Sequence, residues 1–340
     1  MKMNFKNTAR YRLFLLPLIL FFVCVAGHAQ QNSTITGTVL DKEGSAIPGA
    51  EVTLTQQETG FVSKSESNST GNFTFNGLNV GTYDLKVTSK GFQTFVAKGL
   101  AVNVSQTLRA DAAMTVGSVE QTVSVQAEAL SVQTDSNVLS TLVSAEQISE
   151  IATENRNFAA LVALGLGVSS TLPDNNTPTS VGSSANISVN GLRQSHNIWL
   201  IDGGEADDRG GAGGIDIMPS QDAIAQLETL SSNYPPDYGI SSGATISLSL
   251  KSGTQHFHGE LWEFNRNTVF NANSWQNKNN AVAKPRAKLN YNIYGFNIGG
   301  PLYIPGVYNT NKQKTFFFWN EEWRKLILGS SPSIKNTLPW

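Results

Sequence analysis

From residue 33 to 115, apolar and polar side chains alternate in short runs. Ser33–Asp41 (STITGTVLD) sets Ile35, Gly37 and Val39 against Thr36, Thr38 and Leu40, and is followed by turn residues at Lys42-Glu43-Gly44 and Ile47-Pro48-Gly49. The alternation resumes in Ala50–Thr55, Gly71–Phe75 and Gly81–Val87, and a further run opens at Gly91-Phe92. A period of two predicts strands, and strands spaced ~8–12 residues apart by Gly, Pro and Asn turns predict an all-β sandwich. Phe73, Phe75, Leu78, Tyr83, Leu85 and Val87 are its expected core.

The pattern changes after a short β-rich stretch, VGSVEQTVSVQAEALSV, at residues 116–132. Residues 133–255 mix periods. Ser144-Ala145-Glu146-Gln147 has capping-box spacing. Ile148, Ile151, Phe158, Leu161, Val162 and Leu164 then fall on helical faces, ended by Gly165 and Gly167. Strands are predicted over Asn186–Asn190, Ile198–Ile201 and Ala244–Leu250. A second helix is predicted from Ser220 as N-cap, with Asp222 in its first turn and Ile224 and Leu227 turned inward.

From residue 257 the apolar positions become aromatic. Residues 257–340 hold 16 of the chain's 31 Phe, Tyr and Trp. Three strands are predicted: His258–Phe264, Asn290–Gly299 (with Tyr294, Phe296 and Ile298 on one face) and Lys314–Trp323. Strands of ~10 residues that alternate polar with aromatic are the pattern of an outer-membrane barrel rather than a soluble sandwich.

The first residues change the charge balance. Lys2, Lys6, Arg10 and Arg12 precede the apolar run Leu13–Val25, and Gly27-His28-Ala29 supplies small residues for cleavage before Gln30. This predicts a secretory signal peptide over residues 1–29, because the apolar run is shorter than the ~20 residues of a membrane anchor. A lipoprotein reading of Cys24 lacks the small residue expected before a lipidated cysteine. Without the leader, 20 basic face 26 acidic residues and no cysteine is left, so disulfides, thiol nucleophiles and Cys metal sites are excluded. The acidic balance argues against a nucleic-acid partner.

Two resemblances follow from these residues. GTVLDKEGSAIPGAEVTLT and STGNFTFNGLNVGTYDLKVTSKGF resemble the carboxypeptidase regulatory-like domain, a small transthyretin-like sandwich. The name does not imply a peptidase: His196, His256 and His258 are the histidines beyond the leader, and none opens the His-x-x-Glu motif of a zinc carboxypeptidase. The whole order, with VNGLRQSHNIWLIDG (Val189–Gly203), Ala225–Leu230, Tyr238-Gly239, Gly243–Ile246 and Lys251-Ser252-Gly253 ahead of aromatic strands, resembles a TonB-dependent outer-membrane receptor of the Oar-like group. The expected fold class is mainly β: a transthyretin-like sandwich (33–115), a linker (116–132), a mixed α/β plug (133–255) and the first strands of an incomplete outer-membrane barrel (256–340).

The resemblance implies energy-coupled uptake across the outer membrane, with the sandwich facing the periplasm. The partners implied are a TonB-type energy-transducing protein, the outer membrane, and an unidentified glycan, peptide or siderophore-like substrate; no cofactor and no metal is implied. The candidate coupling segment is Val119-Glu120-Gln121-Thr122-Val123-Ser124-Val125, which a linker strand also explains. The candidate substrate-facing plug loop carries Glu205, Asp207, Asp208 and Arg209; its glycines equally fit a solvated loop, and its spacing is neither that of a calcium loop nor that of a phosphate loop. His256 and His258 share the parity of one strand face, where polar lining explains them better than a metal site. The family barrel has ~22 strands. Three are legible here, and an open three-stranded sheet leaves unpaired backbone groups that a bilayer does not tolerate. The expectation is therefore that these residues are an N-terminal fragment of a longer receptor, with 257–340 poorly packed or docked on the plug. The alternative is a periplasmic or secreted carbohydrate- or protein-binding sandwich without transport. An enzyme is not expected, because no nucleophile elbow or zinc motif is present.

Overall fold

A computed structural model describes residues 33–118, 122–126, 137–153, 156–170, 187–208, 214–238, 241–279, 284–286 and 288–329. The expected leader, Val119, Glu120, Gln121 and Arg209 lie outside them.

The alternating N-terminal runs form strands β1 (Ser33–Asp41), β2 (Glu51–Gln56), β3 (Val62–Glu66), β4 (Asn72–Leu78), β5 (Gly81–Thr88), β6 (Thr94–Val102), β7 (Thr107–Arg109), β8 (Ala112–Met114) and β9 (Thr122–Gln126). They build two sheets, β4-β1-β7 with β8 also on β1, and β3-β2-β5-β6-β9. The predicted aromatic and aliphatic residues fill the space between them: Phe73, Phe75, Leu78, Tyr83, Leu85 and Val87 are all buried, together with Ile35, Val39, Val52 and Leu54. Gly37 stands in β1 because nothing larger fits. A Cβ there would lie 2.1 Å from the Ala110 carbonyl oxygen and 2.7 Å from the Phe73 ring.

The central region contains β10 (Leu139–Val143), α1 (Ala145–Glu150), α2 (Ala159–Val162), β11 (Val168–Ser170), β12 (Ile187–Val189), β13 (Ile198–Ile201), β14 (Gly204–Glu205), β15 (Asp207–Asp208), β16 (Gly214–Ile215), β17 (Ile224–Ser232) and β18 (Thr245–Leu250). Its main sheet runs β10-β17-β18-β13-β14, with β13 parallel to β18 and the other pairs antiparallel. Ser144 and Gln147 form the expected capping box of α1. Helices α1 and α2 cover one face of the sheet, where Ile148, Phe158, Leu161, Trp199, Leu227, Ile246 and Leu248 pack together.

Two expectations are corrected here. The helix predicted from Ser220 is a single 3-10 turn, Gln221–Ala223, followed by the nine-residue strand β17. Ser220 does cap it, accepting from the Asp222 N–H, and Ile224 and Leu227 are buried as expected. The helix-forming Ala, Gln, Leu and Glu of this segment lie between β10 and β18, and ladder bonds on both sides override their propensity. Leu164, placed on a helical face by its spacing, is exposed, because α2 has already ended.

The last three strands are β19 (His258–Asn267), β20 (Leu289–Pro301) and β21 (Phe316–Leu328), an antiparallel meander with the short helix α3 (Trp275–Lys278) in its first connection. The register is unbroken: Leu261, Phe296 and Glu321 stand opposite one another, as do Glu260, Asn297 and Asn320.

Candidate functional site

The stretch Val189–Gly203 is a structural joint. Asn190 and Gly191 both have positive φ, as do Asp202 and Gly203, the pattern of type I′ turns. The Asn197 amide donates to the Ile187 carbonyl at 2.8 Å and accepts from the Ala244 N–H at 3.0 Å. The Asp202 carboxylate accepts from the Leu250 N–H at 2.9 Å, and its burial pushes its pKa up. Trp199 fills the core edge-on to Phe158, with ring centroids 6.0 Å apart. Each polar group of the motif that reaches inward thus stitches one strand to the next.

The acidic loop separates its candidates. Asp207 turns inward, and its Oδ2 accepts from the Trp199 N–H at 2.8 Å, so its carboxylate anchors β15 to β13. Glu205 is exposed at the end of the β13–β14 hairpin. Asp208 contributes backbone to the β15–β16 pair. His256 precedes β19, so the two histidines do not share a strand face. The His258 ring stacks on Phe318, and no cluster of three metal-ligating side chains occurs among the described residues.

The two faces of the C-terminal sheet differ in exposure. Tyr294 stacks on Trp323, with centroids 5.6 Å apart, and shares its face with Leu261, Phe296, Ile298 and Trp319 and, by the same register, with Glu263 and Glu321. This face is open: Leu261 is 88% and Trp319 59% exposed. The opposite face carries Glu260, Asn297, Glu322 and Arg324 among Trp262, Phe264, Tyr291 and Ile293, and meets the central region. The Ser220 hydroxyl donates to Glu322 Oε2 at 3.0 Å, and Glu322 pairs with Arg324 at 2.7 Å. Lys251 reaches Glu260, which also accepts from the Asn297 amide at 2.9 Å. Arg156 is ion-paired to Asp222 and lies over the Phe264 ring, 3.9 Å from its centroid. This docking is one of the two outcomes expected for residues 257–340.

A second polar seam joins the sandwich to the uncovered face of the central sheet. The turn after β6 brings the Val104 N–H to Gln226 Oε1 at 3.1 Å, Asn103 Oδ1 to the Gln226 amide at 3.0 Å, and the Ser105 hydroxyl to that of Ser247 at 3.0 Å. Glu228 lies on the same face of β17, buried, and loss of water raises its pKa to about 7, only partly offset by a hydrogen bond to Ser140. A further contact ties the β2–β3 turn to the segment before β19, where the Gln255 amide donates to the Thr59 carbonyl at 3.0 Å.

Of the coupling candidate, Thr122–Val125 lie in β9, the edge strand of the sandwich sheet. Their register with β6 is parallel, Thr94 opposite Thr122 through Lys98 opposite Gln126. Arg156 and Glu322 do not stand out in the sequence, and Gln226 and Glu228 do so only as members of the Ala225–Leu230 segment, without a role of their own. Glu322 had a signal available: strand parity places it on the face opposite Tyr294 and Trp319.

Comparison with known proteins agrees with this arrangement. Residues 34–115 match the carboxypeptidase regulatory-like domain, and residues 249–340 match an outer membrane beta barrel domain. The chain is 23% identical over 301 residues to the TonB-dependent transporter Oar of Myxococcus xanthus, covering 85% of this chain and 26% of that protein. It thus spans about a quarter of the length of this curated relative. Among solved structures, the siderophore receptor PirA from Acinetobacter baumannii is similar at 18% identity, over 55% of this chain and 24% of that one, with a TM-score of 0.38. The outer membrane transporter YddB from Escherichia coli is similar at 16% identity, over 48% and 24%, with a TM-score of 0.36. The chain is similar to TonB-dependent outer-membrane receptors, with a carboxypeptidase regulatory-like sandwich, a mixed central sheet and strands of an outer membrane beta barrel domain, and its setting is the outer membrane.

Proposed function

We propose that this chain is part of an energy-coupled outer-membrane receptor in which the central sheet is the plug and β19–β21 belong to the barrel wall. The observation that carries this reading is the division of the C-terminal sheet. Its aromatic face is open, as a lipid-facing girdle is. Its charged face binds the central region through Ser220–Glu322 and the Arg156–Asp222 pair over Phe264. A plug held by hydrogen bonds and ion pairs, rather than by an apolar core, can slip when pulled, since each such bond exchanges for water at a net cost of only ~1 kcal/mol.

In this reading substrate enters from outside. A TonB-type protein pairs with the segment around β9 by strand addition and pulls, and the load reaches the plug through the chain leading to β10. The substrate is of the glycan, peptide or siderophore-like kind. The test is uptake in the complete receptor carrying Val123→Pro, which removes a backbone donor from the segment. Energised uptake is expected to be abolished while outer-membrane assembly is kept. Uptake equal to the parent refutes the assignment of the segment.

A further inference from the structure

We propose that the sandwich is an intramolecular competitor for the coupling segment: it holds Thr122–Gln126 as its own edge strand, and the energy-transducing partner engages the segment only after that strand leaves β6. The proposal rests on the functional reading above and adds its regulation.

The β9 strand is not a free linker. All five of its residues pair in parallel with five residues of β6, without a register break. On its other side β6 pairs with β5, so the segment extends a sheet that is already complete as β3-β2-β5-β6. A strand held by one ladder at a sheet edge is the part of a sheet most easily exchanged for another strand. Ser124 is exposed, so the core does not enclose the strand at that position.

The load path explains why the two pairings exclude each other. The sandwich is tied to the central sheet through Asn103, Val104 and Ser105, which lie directly after β6. While β9 stays on β6, a pull on it is carried by the β6 ladder and the sandwich core. Only when β9 has left β6 does the pull pass along residues 127–138 to β10 of the central sheet. Ten residues separate Gln126 from Asn137, a span of at most ~40 Å fully extended. The sandwich therefore sets a threshold on coupling. A partner pays an opening cost before it binds, and its apparent affinity falls by the fraction of chains in which the strand is open.

The test uses the full chain with Cys24→Ser, which leaves no other cysteine. Val96 and Ser124 stand opposite each other in β6 and β9 and are replaced together, V96C with S124C. The probes are the soluble periplasmic domain of a TonB-type protein from the same cell and a free peptide of residues 119–126. The peptide is expected to bind that domain about tenfold more tightly than the parent chain does, if the strand is open about a tenth of the time. The oxidised double-cysteine chain is expected to lose binding, and reduction is expected to restore the parent's value. A control disulfide from T53C with K64C, across β2 and β3, is expected to leave binding unchanged.

Amide exchange gives a readout without cysteines: within residues 94–98 the alternate β6 amides that face β9 are expected to lose protection when the probe binds, while those that face β5 keep it. Equal binding by the oxidised and reduced chains, or unchanged β6 protection, overturns the proposal, because the partner would then add to the outer edge of β9. A peptide that does not bind overturns the coupling-segment reading, and this inference with it.

Discussion

The sandwich and the C-terminal sheet are written with the same period of two, yet one buries its apolar stripe and the other exposes it. In the sandwich, twenty apolar side chains close into one core between two sheets. In β19–β21 the buried apolar cluster is Leu289, Tyr291 and Ile293, while Leu261, Trp319 and Trp323 of the aromatic stripe point away from the protein. Alternation fixes that a strand has two unlike faces. What each face meets is decided by the partner: a second sheet for the first region and, in the function proposed above, lipid on one side and a polar plug on the other for the last.

Two substitutions break this contrast most directly. Gly37→Val pushes a side chain into the Ala110 carbonyl and the Phe73 ring, where backbone leaves no room to yield. The expected loss exceeds about 3 kcal/mol, the upper range for overpacking, and urea denaturation of the sandwich reads it. An unchanged midpoint would show that this core is looser than its packing implies. Leu261→Arg makes the opposite case. In water the chain is expected to keep its stability within about 0.5 kcal/mol, because the side chain touches little. In the assembled receptor the same change is expected to cost about 2–4 kcal/mol near the bilayer midplane, seen as reduced heat-stable barrel in outer membranes. Equal yields of parent and variant would remove the lipid-facing assignment.

The contrast also explains how much of the fold is legible in the sequence. The sandwich is legible in β1, β2, β4, β5 and the opening of β6, whose turns carry Gly, Pro and Asn and whose apolar positions alternate cleanly, but not in β3, which buries none of its residues, or in the three-residue β7 and β8. The three C-terminal strands and their aromatic face were legible from parity. The central region was legible in its motif and in the α1 cap. It was misread at β17, where Ala225, Gln226, Leu227 and Glu228 favour a helix in isolation and only the neighbours β10 and β18 make a strand. The seams were not legible at all. Gln226 meets Asn103 across 123 residues and Ser220 meets Glu322 across 102, and no local pattern marks such pairs.

Glu228 sharpens the comparison at the seam between the sandwich and the central sheet. Burial raises its pKa from 4.5 to about 7. A carboxyl whose folded value is raised favours the folded state fully below its unfolded value and loses that contribution as pH rises through the folded one. The window is thus from about pH 4.5 to pH 7, and the contribution lost is as much as about 3 kcal/mol at 1.36 kcal/mol per unit. Glu228→Gln keeps the size and removes the titration. Its stability is expected to stay flat where the parent declines, as thermal melts from pH 4 to pH 8 would show. Parallel curves for the two proteins would mean that Glu228 is hydrated in solution.

The smallest effect tests whether the sandwich and the central sheet act as one body. Gln226 spends both ends of its amide on the sandwich turn: Oε1 accepts from the Val104 N–H, and Nε2 donates to Asn103. Val104 is buried, so Gln226→Ala leaves a shielded backbone donor without its acceptor, at a cost of about 1 kcal/mol or somewhat more. Neither flanking core is touched, and each region should keep its own stability. The expected result is faster amide exchange at Val104, with a melt that separates into a sandwich step and a central-sheet step. Gln226→Glu retains an acceptor for Val104 and loses only the donor to Asn103, so it should fall between the parent and the alanine variant. If all three proteins melt in one common transition, the seam is not what couples the regions. The Ser105–Ser247 hydrogen bond and the contacts of Gln255 with the Glu58 and Thr59 carbonyls would then be the polar ties to test next.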